Sequence, residues 1–143
     1  MNVLITAIGC PGFLTVYENM ISFNKDFVFH GCDIKDVSNK KFMKKFFVAK
    51  KGKDKEYAAH ILEYCKKNKI RHIFPLSDDE IISVNKNIKS FHDSGIRVFG
   101  NISSLIETAF NKKDLYQFIC SNIKKEIVPD FKIVENEKDF KNA

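Results

Sequence analysis

The sequence has no tryptophan, only six glycines and three prolines in 143 residues, and only two arginines, Arg71 and Arg97, among its 24 basic residues. So little glycine and proline excludes collagen-like and low-complexity chains. No apolar run approaches the roughly 20 residues of a membrane span. The opening Met1-Asn2-Val3-Leu4-Ile5 has neither a basic leader nor a small-residue cleavage site, so no secretion signal is read there. The cysteines, Cys10, Cys32, Cys65 and Cys120, include no C-x-x-C pair, and His30, His60, His72 and His92 show no H-E-x-x-H spacing. A metal centre is therefore not expected, and scattered cysteines without a leader suit a reducing, cytoplasmic setting. Scarce arginine also weakens the inference from the net charge of +6. Nucleic-acid readers favour the arginine fork, which pairs bidentately with bases and phosphates.

What is present suits a soluble domain with a real core: 44% hydrophobic, 29% charged and 13% aromatic residues. Residues 3–8 form a continuous apolar run, as in a central parallel strand covered on both faces. The turn Gly9-Cys10-Pro11-Gly12 follows, and then Leu14, Tyr17, Met20 and Ile21 recur at helical spacing over 13–23. Residues 27–33 read as a second strand ending in Asp33. Eight lysines fall between Lys40 and Lys55, interleaved with Phe42, Phe46, Phe47 and Val48. Such a segment could grip single-stranded nucleic acid. We favour instead a short element, residues 46–48, packed on the core with solvated lysines around it.

Residues 56–68 read as an amphipathic helix striped by Tyr57, Ile61, Leu62 and Cys65, and 70–76 as a strand closed by Pro75. A helix is expected over 79–92, with Ser77 or Asp78 as N-cap and Glu80 completing a capping box if Ser77 is the cap. Gly95 ends it or opens a strand over 96–99. Short helices capped by Asn101 and Asn111, a strand-like piece over 131–134 and the first turns of a helix over 135–143 complete the chain. Strands alternating with helices imply an α/β three-layer sandwich with a mainly parallel sheet.

In such sheets ligands gather at the carboxyl ends of the strands. That edge receives residues 9–12, Asp33, and Ser77, Asp78, Asp79 and Glu80. The 9–12 turn could hold an anion on backbone N–H groups at a helix start, or could be a tight turn needing two glycines for packing. It is not G-x-G-x-x-G, and Pro11 lacks an N–H, which disfavours a dinucleotide. Cys10 has no identifiable partner base, so a catalytic thiol is disfavoured. Asp33 could meet a ribose or cap a turn. The 77–80 cluster could orient a polar or amine-bearing substrate, or simply offset a helix dipole.

The order of these pieces, with "IRHIFPLSDDE", "GIRVFGN", "NKKDLYQF" and "IVPDF", resembles the N-terminal, pre-ATP-grasp domain of ATP-grasp ligases. It resembles especially the group similar to the carbamoyl-phosphate synthase large subunit. Residues 75–80 match that family's Pro, small polar pair and Glu. Asn111-Lys112 stands where the family has Asp-Lys, and Ile127-Val128-Pro129 lacks the family's glycine. The resemblance implies a Rossmann-like pre-ATP-grasp domain over 1–128 and a truncated start of the ATP-grasp domain over 129–143. It implies a longer parent that uses ATP and Mg2+ to join a carboxylate to an amine through an acyl-phosphate. This chain would then supply a substrate-facing wall (Gly9, Cys10, Pro11, Gly12, Asp33, Ser77, Asp78, Asp79, Glu80) and a nucleotide-facing Lys112. It would carry no catalytic residue, be silent alone and hold no cofactor tightly. Its partners would be the downstream ATP-grasp domains and a small carboxylate or amine, with no membrane, nucleic acid disfavoured and a homodimer left open. The alternative is a stand-alone Rossmann-like module that binds a nucleotide or anion at the 9–12 turn.

Overall fold

The computed structural model describes residues 1–100, 105–134 and 136–141. The chain divides into two compact units, Met1–Ile102 and Ser103–Ala143. The first unit contains β1 (Asn2–Ile5), α1 (Phe13–Phe23), β2 (Val28–Asp33), β3 (Lys45–Val48), α2 (Tyr57–Lys67), β4 (His72–Phe74), α3 (Asp78–Lys86), α4 (Ile88–Asp93) and β5 (Arg97–Val98). The five strands form one sheet in the order β3-β2-β1-β4-β5, and every pairing is parallel.

Side chains alternate across β1, and this builds both layers. Val3 and Ile5 point to one face with Ile8, Phe13 and Phe29, where Tyr17, Met20 and Phe42 close the cluster. Leu4 points to the other face, with Cys32, Tyr57, Ile61, Cys65, Ile73, Val84 and Phe91. The continuous apolar run of β1 is therefore buried on both sides, as its composition predicts. The helix α1 covers the first face and the α2–α4 helices the second. This is the α/β sandwich with a parallel sheet that the sequence predicts.

The short element expected over 46–48 is a strand, β3, at the edge of the sheet, with Phe46 and Phe47 packed on the core and Val48 exposed. Other expectations need correcting. The helix expected over 79–92 is two helices, because at Asn87 the side-chain amide donates to the Ser83 carbonyl at 2.9 Å. Such side-chain competition favours a break. The aromatics of the lysine-rich segment face inward: Phe47 stacks on Tyr64 with centroids 3.9 Å apart, and Phe42 lies 5.2 Å from Tyr17. Its lysines disperse, with Lys40 paired to Asp36, Lys50 to Glu56 and Lys53 to Asp79.

In the second unit are α5 (Ile106–Phe110), α6 (Lys112–Asn122) and α7 (Glu137–Lys141). Asn111 caps α6 as expected, its side chain accepting from the Lys113 and Asp114 amides. The strand expected over 131–134 does not form; that segment has no ladder partner among the described residues, and Phe131 instead packs on Tyr116 with centroids 5.0 Å apart. The expected cap at Asn101 lies outside the described residues. No described helix is long and apolar enough to cross a membrane.

Candidate functional site

The carboxyl ends of β2, β1 and β4 are neighbours, so the topology brings Asp33, the 9–12 turn and the 77–80 cluster to one edge. The chain leaves β1 through Thr6, whose amide donates to the Phe74 carbonyl at 3.1 Å. Ala7 then takes a left-handed backbone (φ +48°), which costs a non-glycine residue about 1 kcal/mol. This reversal turns the chain across the end of β2.

The 9–12 turn is knitted to the loop after β2. The Gly9 amide donates to Asp33 Oδ2 at 2.8 Å, and Asn39 Nδ2 donates to the Ile8 carbonyl at 2.7 Å. The amides of Ile8, Cys10 and Phe13 donate to the carbonyls of Cys32, Ala7 and Cys10. With these donors committed and Pro11 carrying none, the turn offers an anion little beyond Gly12. Asp33 is only 7% exposed, and its carboxylate serves the turn.

The two glycines of the turn differ. A Cβ on Gly9 would come within 2.9 Å of Val37 Cγ1 and 3.0 Å of Asp33 Oδ2, while one on Gly12 would meet nothing within 4 Å. Gly12 also has a helical φ of −76°. The two-glycine packing requirement therefore holds for Gly9 alone. Gly9→Ala is expected to cost about 1–2 kcal/mol by overpacking, and Gly12→Ala less than about 0.5 kcal/mol. Chemical denaturation of the two variants checks this, and equal losses would contradict it.

In the 77–80 cluster, Ser77 is the N-cap of α3 with extended backbone, but its side chain makes no cap bond. Glu80 does not complete a capping box. Its side chain turns under β1 and is 2% exposed, and Oε2 accepts the Thr6 hydroxyl at 2.6 Å. The Tyr57 hydroxyl lies against Thr6 and Glu80, buried without a well-aligned hydrogen bond. Burial holds the Glu80 carboxyl above its usual range and the nearby Asp33 charge adds to this; the hydroxyls of Thr6, Ser77 and, less well aligned, Tyr57 oppose it. Asp78 is exposed, and Asp79 is half-buried at the rim.

The loop between β3 and α2 closes the other side. Gly52 is buried there, and a Cβ on it would fall 2.6 Å from the Glu80 amide nitrogen and 2.7 Å from the Asp79 carbonyl carbon. Beside this contact lies a cavity of about 460 Å³ lined by Lys53, Lys55, Asp79, Ser83 and Lys86. It carries both signs of charge.

The nine expected wall residues thus separate by access. Asp33 and Glu80 are buried and hold the edge together. Ser77, Asp78 and Asp79 form its rim, with Gly9, Cys10, Pro11 and Gly12 on the neighbouring turn. Lys112 begins α6 in the second unit. Sequence reasoning missed Thr6 and Gly52 and read Tyr57 only as part of the apolar stripe of α2; the one signal that could have found Gly52 is that it is the single glycine between Gly31 and Gly95. Among the described residues no group of three or more His, Cys, Asp or Glu side chains could hold a metal.

The pattern of the family described as "PylC-like, N-terminal domain" matches residues 27–99. That span includes Asp33, Gly52, Tyr57 and the 77–80 cluster. No curated protein matches the chain. Thirteen solved chains do, among them the dTDP-glucose 4,6-dehydratase of Bacillus anthracis in complex with NAD. It shares 15% identity at a TM-score of 0.49, over 68% of this chain and 36% of that one. The chain spans about a third of that protein's length.

Proposed function

Because the chain belongs to the PylC-like N-terminal domains, the pre-ATP-grasp domains of ATP-grasp ligases, we propose that it forms the substrate-side wall of an ATP-dependent carboxylate–amine ligase. The observation that carries this reading is the acidic rim. Ser77, Asp78 and Asp79 stand at the carboxyl edge of a parallel sheet, within the matched span, beside a cavity of mixed charge. Asp79 and Lys53 pair across the cavity mouth at 3.7 Å, so an amine on Asp79 would exchange with Lys53 and free it, beside Lys55, for a carboxylate.

The described residues offer no ligand set for Mg2+, and the 9–12 amides are largely committed. The family resemblance assigns ATP and Mg2+ to downstream ATP-grasp domains, with Lys112 approaching the nucleotide. On this reading residues 1–128 are the pre-ATP-grasp domain, 129–143 begin the next, and the chain alone turns nothing over. The finer reading, a ligase of the carbamoyl-phosphate synthase type, rests on the motif order, and the cytoplasmic setting on the scattered cysteines. A homodimer stays open.

The test starts with the intact mass of the native polypeptide. A mass well above 16.5 kDa and ATP-dependent ADP release by that longer chain support the reading. Absence of nucleotide binding by the longer chain would sink it. In that enzyme, Asp79→Asn is expected to raise the KM for the amine about tenfold or less while leaving the melting temperature unchanged, as loss of one rim charge should. Steady-state kinetics with the amine varied checks this.

A further inference from the structure

The cations of the first unit are not spread evenly. Lys44 and Lys45 start β3, Lys66 and Lys67 end α2, and Lys69 and Arg71 lie in the link to β4. All six sit at the amino edge of the sheet, opposite the rim and roughly 15 Å from it at about 3.3 Å per strand residue. Two cavities adjoin there. One, of about 220 Å³, is lined by His30, Lys44, Lys45, Lys67 and Lys69. The other, of about 350 Å³, is lined by Lys66, Lys69 and Arg71. Neither lining contains a carboxylate, and among the described residues none of the six cations is in an ion pair.

Lys69 joins the two cavities, and its backbone marks it out. The α2 helix ends in a Schellman motif: the Ile70 amide donates to the Cys65 carbonyl and the Lys69 amide to that of Lys66. The position with φ > 0 in that motif is ordinarily glycine. The α4 helix ends in the same way and uses Gly95 there (φ +68°), with the Gly95 and Ile96 amides donating to His92 and Phe91. At the end of α2 a lysine holds φ +54° instead. The strained position thus carries a cationic side chain that lines both basic cavities.

Helix-dipole compensation accounts for Lys66 and Lys67 in the last turn of α2. The same holds for Arg71, whose guanidinium donates to the Ser94 and Gly95 carbonyls at the end of α4, but it does not account for Lys44 and Lys45, which lead into β3. Lysine-rich sites bind phosphate as point charges. The aromatic ring in the lining, His30, is buried, with Nδ1 3.0 Å from the Tyr64 hydroxyl. It offers no stacking platform for the bases of a single strand.

We propose that the amino edge of the sheet binds a compact polyphosphate group, a diphosphate or longer, held at Lys69 where the linings of the two cavities meet. The site is separate from the rim and independent of the ligase reading.

Sodium pyrophosphate titrated into the 143-residue chain at low ionic strength, followed by NMR, tests this. Saturable shifts of the His30 ring and Asn68 amide are expected, with pyrophosphate binding at least tenfold tighter than inorganic phosphate. Lys69→Gly is the decisive variant, because it removes the charge and relieves the backbone. Its melting temperature should rise while its pyrophosphate affinity falls at least fivefold, and Lys125→Ala in the second unit should change neither. Non-saturable shifts, or unchanged affinity in Lys69→Gly, would overturn the proposal. So would tighter binding of a single-stranded oligonucleotide than of pyrophosphate, since that would make the surface a strand track.

Discussion

Replacing Gly52 by valine is expected to destabilise the first unit by about 3 kcal/mol or more. The reason lies in the target of the added side chain. Its Cβ alone would sit 2.6 Å from a backbone nitrogen and 2.7 Å from a carbonyl carbon at the start of α3, and helix backbone cannot rotate away as a side-chain tip can. The loop must lift off, which exposes Tyr57 and opens the cavity beside Asp79. For a unit of about 100 residues this corresponds to a fall in melting temperature of roughly 12 °C or more. Thermal unfolding by circular dichroism reads it directly. A melting temperature within about 2 °C of the parent would show that the loop does not close over α3. Gly12→Ala, whose Cβ has open space, is the internal control.

The second large effect is at Glu80, and it depends on pH. Glu80→Ala removes the acceptor of the Thr6 hydroxyl, strands it beside the Tyr57 hydroxyl and leaves a void under β1. Lost burial and an unpaired buried hydroxyl together amount to about 3 kcal/mol. That cost applies at acid pH, where Glu80 is protonated. Burial raises the Glu80 carboxyl above its ordinary value of 4.5 in the folded chain, so the folded state holds this proton more tightly than the unfolded state. Its contribution to stability is full below the ordinary value and declines as pH rises through the folded one. Glu80→Ala is therefore expected to cost less at pH 8 than at pH 4.5. Glu80→Gln, which keeps an acceptor for Thr6 but cannot ionise, should lack the decline.

His30 and His72 act in the opposite direction. Burial lowers both, helped by the charges of Lys45 and Lys44 at His30 and of Arg97 at His72. Their contribution is full above 6.5 and is lost as pH falls below it. The difference between the parent and Glu80→Gln, measured by urea denaturation across pH 4.5–8, isolates the carboxyl. A pH-independent difference would show that Glu80 is not held above its ordinary range.

The difference between Glu80 and Asp79 shows how far local reading reached. From sequence both are acids in the first turn of a helix, and capping with dipole compensation treats them alike. In the fold one is 2% exposed against Thr6 and the other lines a cavity. Their fates diverge because the helical period points position 80 at the sheet and position 79 at the rim. Only the placement of α3 over β1 and β4 decides which way the sheet lies. The lysine-rich segment teaches the same lesson. As a run, Lys40 to Lys55 looks like one basic surface, yet its members pair singly with Asp36, Glu56 and Asp79. Lys44 and Lys45 instead share a cavity with Lys67 and Lys69, 22 to 25 positions away along the chain.

By itself the sequence determined the layer architecture. The double-sided apolar run of β1, the helical stripes of α1 and α2 and the order of strands and helices are local or periodic signals, which need no knowledge of neighbours. It also determined which loops share an edge, because in a parallel sheet the carboxyl ends of all strands lie on one side. Tertiary structure alone decided which acids of that edge are buried, that Gly52 must be glycine, and that six scattered cations converge on the opposite edge. These depend on distances between residues remote in sequence. Burial, close approach and summed charge are properties of such pairs, and no residue carries them before the chain has folded.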